Sequence, residues 1–137
     1  MKGLKIAVIS GGDSAEADVS RSSARSVIGA LEENFDLVTS IELDKNIGES
    51  LINLEPDVVF PVLHGPPGED GTLQGFLEIL GYRYVGSEVH SSALAMDKIM
   101  AKQAFREAGL TVADQRIVQR ETPVVKIVES ITRNLGK

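Results

Sequence analysis

The sequence predicts a doubly wound α/β domain, in which a four-stranded parallel sheet carries helices on both of its faces. Two observations predict this fold class. Segments with the apolar run of a strand alternate four times with segments that carry the apolar stripe of a helix, within about the first 90 residues. The strand-like runs are almost continuously apolar, as expected where right-handed helical crossovers bury both faces of a parallel sheet.

Four segments have the composition of buried strands. The first, Lys5–Ser10, is a β-rich apolar run closed by Gly11 and Gly12. The other three are predicted over residues 35–43, 57–63 and 84–86.

Three helices are predicted between and after these strands, from apolar residues that recur at helical spacing. The first covers about residues 19–33, and we expect Asp18 or Ser20 to cap its N-terminus. The second covers residues 46–55 and stops at Pro56, and the third is ended by Gly81. Their apolar stripes consist of Ala24, Val27, Ile28 and Leu31, then Ile47, Leu51 and Leu54, then Leu73, Phe76, Leu77 and Leu80.

The residues after the fourth predicted strand indicate a second region. Residues 91–108 are typical of one or two helices, residues 114–119 of a strand, and residues 123–135 of a helix. Because the four-stranded unit is complete near Ser87, we place residues 1–95 in one domain. Residues 96–137 begin another.

Composition and charge exclude several classes of protein. Lys and Arg total 14 and Asp and Glu total 20, so the net charge is −6, which disfavours a nucleic-acid partner. With no cysteine, the chain has no disulfide, no thiolate metal site and no catalytic thiol. The longest apolar run, Val58–Leu63, is far shorter than the roughly 20 residues that a membrane helix needs. We therefore expect a cytoplasmic protein with no membrane partner.

Two loops lie where ligands of an open parallel sheet gather, at the carboxyl ends of strands beside helix N-termini. They are Gly11–Ser20 after the first strand and His64–Gly71 after the third. The first loop contains neither the dinucleotide fingerprint G-x-G-x-x-G nor the phosphate loop G-x-x-x-x-G-K-[ST], which disfavours a nucleotide site there.

Each loop offers one candidate binding residue. Glu16 precedes a helix, whose dipole favours an ionised carboxylate that can pair with an ammonium group; alternatively, Glu16 and Asp18 are ordinary helix-start acids. His64 ends the third strand, where its imidazole either binds a substrate carboxylate or bonds a loop carbonyl. Glu69 and Asp70 are interpreted as caps of the following helix.

Two lysines on a predicted helix are the remaining candidates. Lys98 and Lys102 lie four residues apart and share a face, where they either hold phosphate oxygens or are simply solvated. Only two histidines are present, His64 and His90, and no metal-ligand spacing or Ser/His/Asp arrangement can be argued. We therefore expect no metal site in this chain.

One set of motifs extends over nearly the whole chain. It consists of Gly11-Gly12 with Ser14-Ala15-Glu16 and Val19-Ser20, Leu63-His64-Gly65 with Gly68-Glu69-Asp70-Gly71 and Gln74-Gly75, Tyr84-Val85-Gly86-Ser87, Ser92-Ala93 with Met96-Asp97-Lys98, and Lys102 ahead of Ala108-Gly109-Leu110. This combination is far more specific than any one motif. It resembles the N-terminal part of the D-alanine–D-alanine ligases, which are ATP-grasp enzymes.

The resemblance implies a fold and an activity. Residues 1–95 would form a Rossmann-like pre-ATP-grasp domain, and residues 96–137 the start of the central ATP-grasp lobe. Members of the family are ATP-dependent ligases that use ATP and magnesium to join two D-alanines through an acyl phosphate, in the synthesis of peptidoglycan precursors for the cell wall.

The resemblance also implies roles for individual residues. Glu16 would bind the ammonium group of the first D-alanine, and His64 would lie near its carboxylate. Gly65 and Val19 would belong to the same substrate-binding pocket. Lys98 would reach the phosphates of ATP.

Members of the family run well over twice the length of this chain, and the rest of their length carries most of the ATP clamp, the magnesium-binding acids and the lid. We therefore expect a ligase fragment that is inactive alone, binds neither ATP nor magnesium tightly, and forms a homodimer. The alternatives are a non-catalytic module for small-ligand binding or dimerisation on the same fold, and a ligase of the D-alanine–D-lactate type.

Overall fold

The computed structural model describes residues 3–135. The chain separates into two compact units, Met1–Met96 and Asp97–Lys137. None of the helices within the described range is long and apolar enough to cross a membrane.

The first unit is built on a parallel sheet of three strands in the order β2-β1-β3, namely β1 (Lys5–Ser10), β2 (Leu37–Glu42) and β3 (Val58–Pro61). β1 lies in the middle, with Ile6 opposite Val38 of β2 and Val58 of β3. Val8 and Ile9 are completely buried. The central strand is apolar along most of its length because both of its faces are covered.

Four helices complete the first unit: α1 (Ala17–Glu32), α2 (Ile47–Leu54), α3 (Thr72–Ile79) and α4 (Val89–Met96). α1 covers one face of the sheet, where Ala24 and Val8 belong to one apolar cluster. α2 and α3 cover the other face, where Leu51 and Leu77 pack in a cluster with Ile9. The predicted α/β class, with a parallel sheet between helices, is confirmed.

The prediction of a fourth strand in this sheet is wrong. Tyr84 makes only an isolated parallel bridge with Val59 of β3. The bridge is made by hydrogen bonds from Val59 N to Arg83 O (2.8 Å) and from Val85 N to Val59 O (3.0 Å). Gly86 then adopts a φ of 134°, which turns the backbone out of the extended conformation and ends the pairing. Within the described residues the sheet has three strands.

The second unit contains the helices α5 (Lys98–Glu107) and α6 (Val124–Leu135). Of the one or two helices predicted over residues 91–108, the structure therefore has two, α4 and α5. Asp97 caps α5, because its carboxylate accepts hydrogen bonds from the backbone N–H groups of Ile99 (2.8 Å) and Met100 (3.1 Å).

The strand predicted over residues 114–119 is wrong as well. Residues 110–119 have no regular secondary structure. An extended segment becomes a strand only where a neighbouring strand satisfies its backbone groups, and the described part of the second unit contains none. Ile117 is 58% exposed and Val118 46%, so burial does not fix this segment either.

Ser20, in the first turn of α1, holds the loop after β1 against the segment after β3. Its fully buried hydroxyl accepts a hydrogen bond from the backbone N–H of Gly11 (2.8 Å) and donates one to the carbonyl of Val62. The prediction that Asp18 or Ser20 caps α1 is therefore wrong. Glu16 occupies the N-cap position without a side-chain cap hydrogen bond, and Ser20 turns inward to pair backbone groups that lie away from water.

Glu42, the last residue of β2, ties the same loop to α1. Its Oε1 lies 2.6 Å from Nη2 of Arg21 and accepts a hydrogen bond from the backbone N–H of Gly12 (3.1 Å). The hydrogen bond from Arg21 is the main cause that holds the pKa of Glu42 below its usual value. A methyl group on Gly11, whose φ is 79°, would lie 1.9 Å from Glu42 Oε1, so the loop requires glycine there.

We expect Ser20→Ala to lower the free energy of unfolding by about 1–3 kcal/mol, because it leaves the Gly11 N–H and the Val62 carbonyl without their partner. Urea unfolding followed by circular dichroism measures this change. Ser22→Ala, at an exposed position of α1, is the matched control and should change the free energy by less than about 0.5 kcal/mol. Equal effects of the two substitutions would contradict the role given to Ser20.

The lowered pKa of Glu42 predicts a pH-dependent contribution to stability. An acid whose pKa is lower in the folded chain stabilises the fold above its unfolded value, here 4.5, and loses that contribution as the pH falls through its folded value. We expect the free energy of unfolding of the wild type to exceed that of Glu42→Gln at neutral pH, and the difference to shrink below pH 4.5. An Arg21→Gln background should weaken this pH dependence, and an unchanged dependence would count against the ion pair as its cause.

Candidate functional site

The loops after β1 and β3 border the crevice in which open parallel sheets usually hold ligands. β1 leads to α1 on one face of the sheet, whereas β3 leads to α3 on the other face. The chain therefore leaves two neighbouring strands in opposite directions, and the gap between the loops is a topological switch point. These loops are termed the β1 loop (Gly11–Glu16) and the β3 loop (Val62–Gly71).

Ser14 joins the two loops. Its Oγ donates a hydrogen bond to the backbone carbonyl of His64 (3.0 Å) and accepts one from the N–H of Glu16 (3.2 Å). A methyl group built on Gly65 would lie 3.9 Å from Oε2 of Glu16, so this carboxylate lies beside the backbone of Gly65. The structure thus brings together Glu16, His64 and Gly65, three of the residues that the sequence singled out.

Two side chains at the start of α1 face solvent beside this crevice. Glu16 is exposed at the N-cap position. Val19 follows in the first turn and is 55% exposed, although its neighbour Ser20 is fully buried. A carboxylate and a small apolar side chain at this end of α1 are therefore both accessible to a ligand.

The position of the His64 imidazole depends on a fixed backbone and one polar contact. Ser14 holds the carbonyl of His64, and the N–H of Gly65 donates to Oε2 of Glu69 (2.6 Å). The half-buried ring places Nε2 3.4 Å from Oγ of Ser23 on α1.

Polar contacts also hold the rest of the β3 loop. Gly71 occupies the N-cap position of α3, and Asp70 Oδ1 accepts the N–H of Thr72, the first residue of the helix (3.0 Å). Glu69 instead bonds within the loop, so its interpretation as a cap is wrong. Gln74, buried in α3, donates from Nε2 to the carbonyl of Gly68 (2.8 Å). Its Oε1 is buried without a hydrogen-bond partner among the described residues. The loop is therefore shaped from inside by α3 as well as by its own acids.

Three residues shape the site although the sequence analysis gave them no role. Ser14 and Gln74 belong to the sequence motifs without a predicted role, and no motif includes Ser23. A serine in a tight strand-to-helix loop is typical of side-chain hydrogen bonds to the backbone, which is the signal that could have identified Ser14. Ser23 carries no such signal, because its partner His64 lies 41 positions away.

The two candidate lysines differ in their surroundings. Lys98 is the exposed first residue of α5 in the second unit. Lys102 donates from Nζ to the backbone carbonyl of Ala113 (2.8 Å), so it holds the segment that follows α5. Lys102 is therefore not simply solvated.

The carboxylate of Glu16 and the imidazole of His64, together termed the rim, can hold the two ends of a small zwitterion. Glu16 can accept hydrogen bonds from an ammonium group, and His64 can donate one to a carboxylate. A cleft of about 370 Å³ opens between these loops and the segment after β2, and it is lined by Gly12, Asp13, Ser14, Leu43, Asp44, Lys45, Pro66 and Pro67. Glu16, Val19, His64 and Gly65 are not among the residues that line it. Between residues 3 and 135, no group of three His, Asp or Glu residues could hold a metal ion.

Comparisons with known proteins agree on one family. Residues 44–87 match the family model described as "D-ala D-ala ligase N-terminus". The chain is 48% identical over 120 residues to D-alanine–D-alanine ligase B of Brucella suis biovar 1 (strain 1330), which covers 88% of this chain and 39% of that protein. It is 43% identical over 129 residues to D-alanine–D-alanine ligase of Geobacter sulfurreducens, covering 94% of this chain and 41% of that protein.

Solved structures give the same result. The crystal structure of D-alanine–D-alanine ligase from Bacillus anthracis complexed with ATP matches with a TM-score of 0.75 and 34% identity, covering 93% of this chain and 43% of that one. The ligase from Coxiella burnetii matches with a TM-score of 0.77 and 27% identity, covering 98% and 50%. The chain spans about two fifths of the length of the curated relatives that it matches. It belongs to the D-alanine–D-alanine ligase family, as the counterpart of the N-terminal region of its members.

Proposed function

We propose that this chain provides the binding site for the first D-alanine in a D-alanine–D-alanine ligase, which joins two D-alanines with hydrolysis of ATP. The pair of hydrogen bonds made by Ser14 supports this proposal, because it links the backbone N–H of Glu16 to the backbone carbonyl of His64. D-Alanine is taken as the substrate because the relatives are named D-alanine–D-alanine ligases. A carboxylate and an imidazole are groups that can bind the ammonium and the carboxylate of an amino acid.

In this proposal each group of the site contacts a different part of D-alanine. Glu16 accepts hydrogen bonds from the ammonium group, and His64 donates one to the carboxylate. Gly65 has no side chain, so the backbone beside Glu16 can approach the amino acid closely. Val19, exposed one helical turn from Glu16, offers an apolar contact for the methyl group.

ATP with magnesium would supply the activation of the first D-alanine as an acyl phosphate. As the family resemblance implies, this chain would orient the amino acid and bind neither cofactor tightly alone. We assign residues 1–95 to the substrate domain and residues 96–137 to the start of the ATP-grasp lobe. There the exposed ammonium group of Lys98 would reach the ATP phosphates.

The proposal also includes the location, the oligomeric state and the partners of the enzyme. We infer a cytoplasmic homodimer that acts in peptidoglycan precursor synthesis, as the family resemblance implies. D-Alanine is its small-molecule partner, and the net charge of −6 disfavours a nucleic-acid partner.

A chimera tests the assignment of Glu16. In it, the matching 120 residues of this chain replace the N-terminal region of the Brucella suis ligase. We expect phosphate release that depends on ATP, magnesium and D-alanine, and we expect Glu16→Gln to raise the KM for D-alanine about 10- to 100-fold. Loss of a hydrogen bond between charged groups costs about 1.5–3 kcal/mol, and about 1.4 kcal/mol corresponds to a factor of ten.

Asp18→Asn in the same chimera is the matched control. Its carboxylate lies two residues further along α1 and pairs with Arg21, so its loss should leave the KM within about twofold. An unchanged KM in Glu16→Gln would remove Glu16 from the site. A properly folded chimera without activity would contradict the proposed function. Phosphate release by the 137-residue chain alone would contradict the expectation that the chain needs further groups for activity.

A further inference from the structure

The ring of His64 has one polar partner within residues 3–135, the hydroxyl of Ser23 at 3.4 Å from Nε2. The structure gives neither side chain any other hydrogen bond in this range, and both residues are half-buried. Ser23 lies on α1, whose N-cap residue is Glu16. One helix and its N-cap therefore provide both the carboxylate of the rim and the group that faces the imidazole.

The backbone on both sides of the His64 Cα is held by hydrogen bonds. Ser14 Oγ donates to the His64 carbonyl (3.0 Å), and the N–H of Gly65 donates to Glu69 (2.6 Å). Only the side-chain torsions then move the ring. The half-buried hydroxyl of Ser23 can pair with Nε2 in either tautomer, as donor or as acceptor.

A neutral imidazole carries one proton, on either Nε2 or Nδ1. If the proton sits on Nε2, it points to Ser23 Oγ, and the lone pair of Nδ1 is left for a ligand. If it sits on Nδ1, Nε2 accepts the hydroxyl proton of Ser23, and Nδ1–H is left as a donor. Only the second arrangement is attractive to a carboxylate, because a lone pair would repel it.

We propose that Ser23 is a positioning residue, which donates its hydroxyl proton to Nε2 of His64 and thereby keeps the imidazole proton on Nδ1. Nδ1–H is then oriented to donate to a carboxylate. The choice of the Nδ1–H tautomer rests on the proposed function, because the carboxylate to be bound is that of the first D-alanine. The contact between Ser23 and Nε2 is present in this chain without any ligand.

Nitrogen NMR of the imidazoles in the 137-residue chain tests the tautomer directly, because the sequence contains only His64 and His90. The spectra are recorded at an alkaline pH at which the ring shifts no longer change. We expect a protonated-type shift for Nδ1 of His64 and an unprotonated-type shift for Nε2. His90, exposed on α4, should show the averaged shifts of a freely exchanging ring and serves as the internal reference.

Substitutions then separate a specific role of the hydroxyl from a structural one. Ser23→Ala should move both His64 ring shifts to the averaged values of His90, whereas Ser23→Thr, which keeps the hydroxyl, should retain the wild-type pattern. Ser22→Ala, at the exposed neighbouring position, should change neither histidine. An amide spectrum of each variant confirms that the fold is kept.

Two results would overturn the inference: a protonated Nε2 of His64 in the wild type, or His64 shifts that Ser23→Ala leaves unchanged. The wild-type spectrum alone can give the first result, so the inference stays open to refutation even if a variant fails to fold. Either result would leave the role of Glu16 untouched. An inactive chimera would in turn not change the ring shifts measured in this chain, so the two failures are distinguishable.

Discussion

The hydrogen bonds of the buried Ser20 hydroxyl fix the end of β1 relative to the chain that leaves β3, and the candidate site depends on this connection. Among the described residues, the β1 loop contributes no member to either apolar cluster, so polar groups hold it against the β3 loop. Ser20 acts at the base of the crevice and Ser14 at its rim, each between segments more than 40 positions apart.

Backbone and side chains approach closely in the same region, so an added side chain on a loop glycine would clash there. A methyl group on Gly11 would meet the Glu42 carboxylate at 1.9 Å, and one on Gly68 would meet Cβ of Leu63 at 2.2 Å. The polar connections and the close approaches at the glycines together restrict the backbone of the two loops that carry Glu16 and His64.

The periodicity of the sequence predicted β1 to β3 and α1 to α3 because these elements bury apolar faces that are visible one segment at a time. The periodicity predicted strands wrongly where pairing with a neighbouring strand decides whether a segment becomes a strand. Residues 114–119 have strand composition but no strand beside them, and Gly86 ends the pairing that Tyr84 begins. For the site, Glu16 and His64 stood out because they follow strand ends. Ser23 could not, because its partner His64 is distant in sequence.

The exposure of Glu16 determines how much this rim can contribute by itself. An ion pair in water contributes at most about 1 kcal/mol, because solvent screens the charges. The same pair becomes several times stronger where water is excluded and the effective dielectric constant falls. The rim of this chain would therefore orient a zwitterion without retaining it, and firm binding would require further groups to cover the amino acid. Under the proposed function, ligase members supply such groups along the three fifths of their length that this chain does not match.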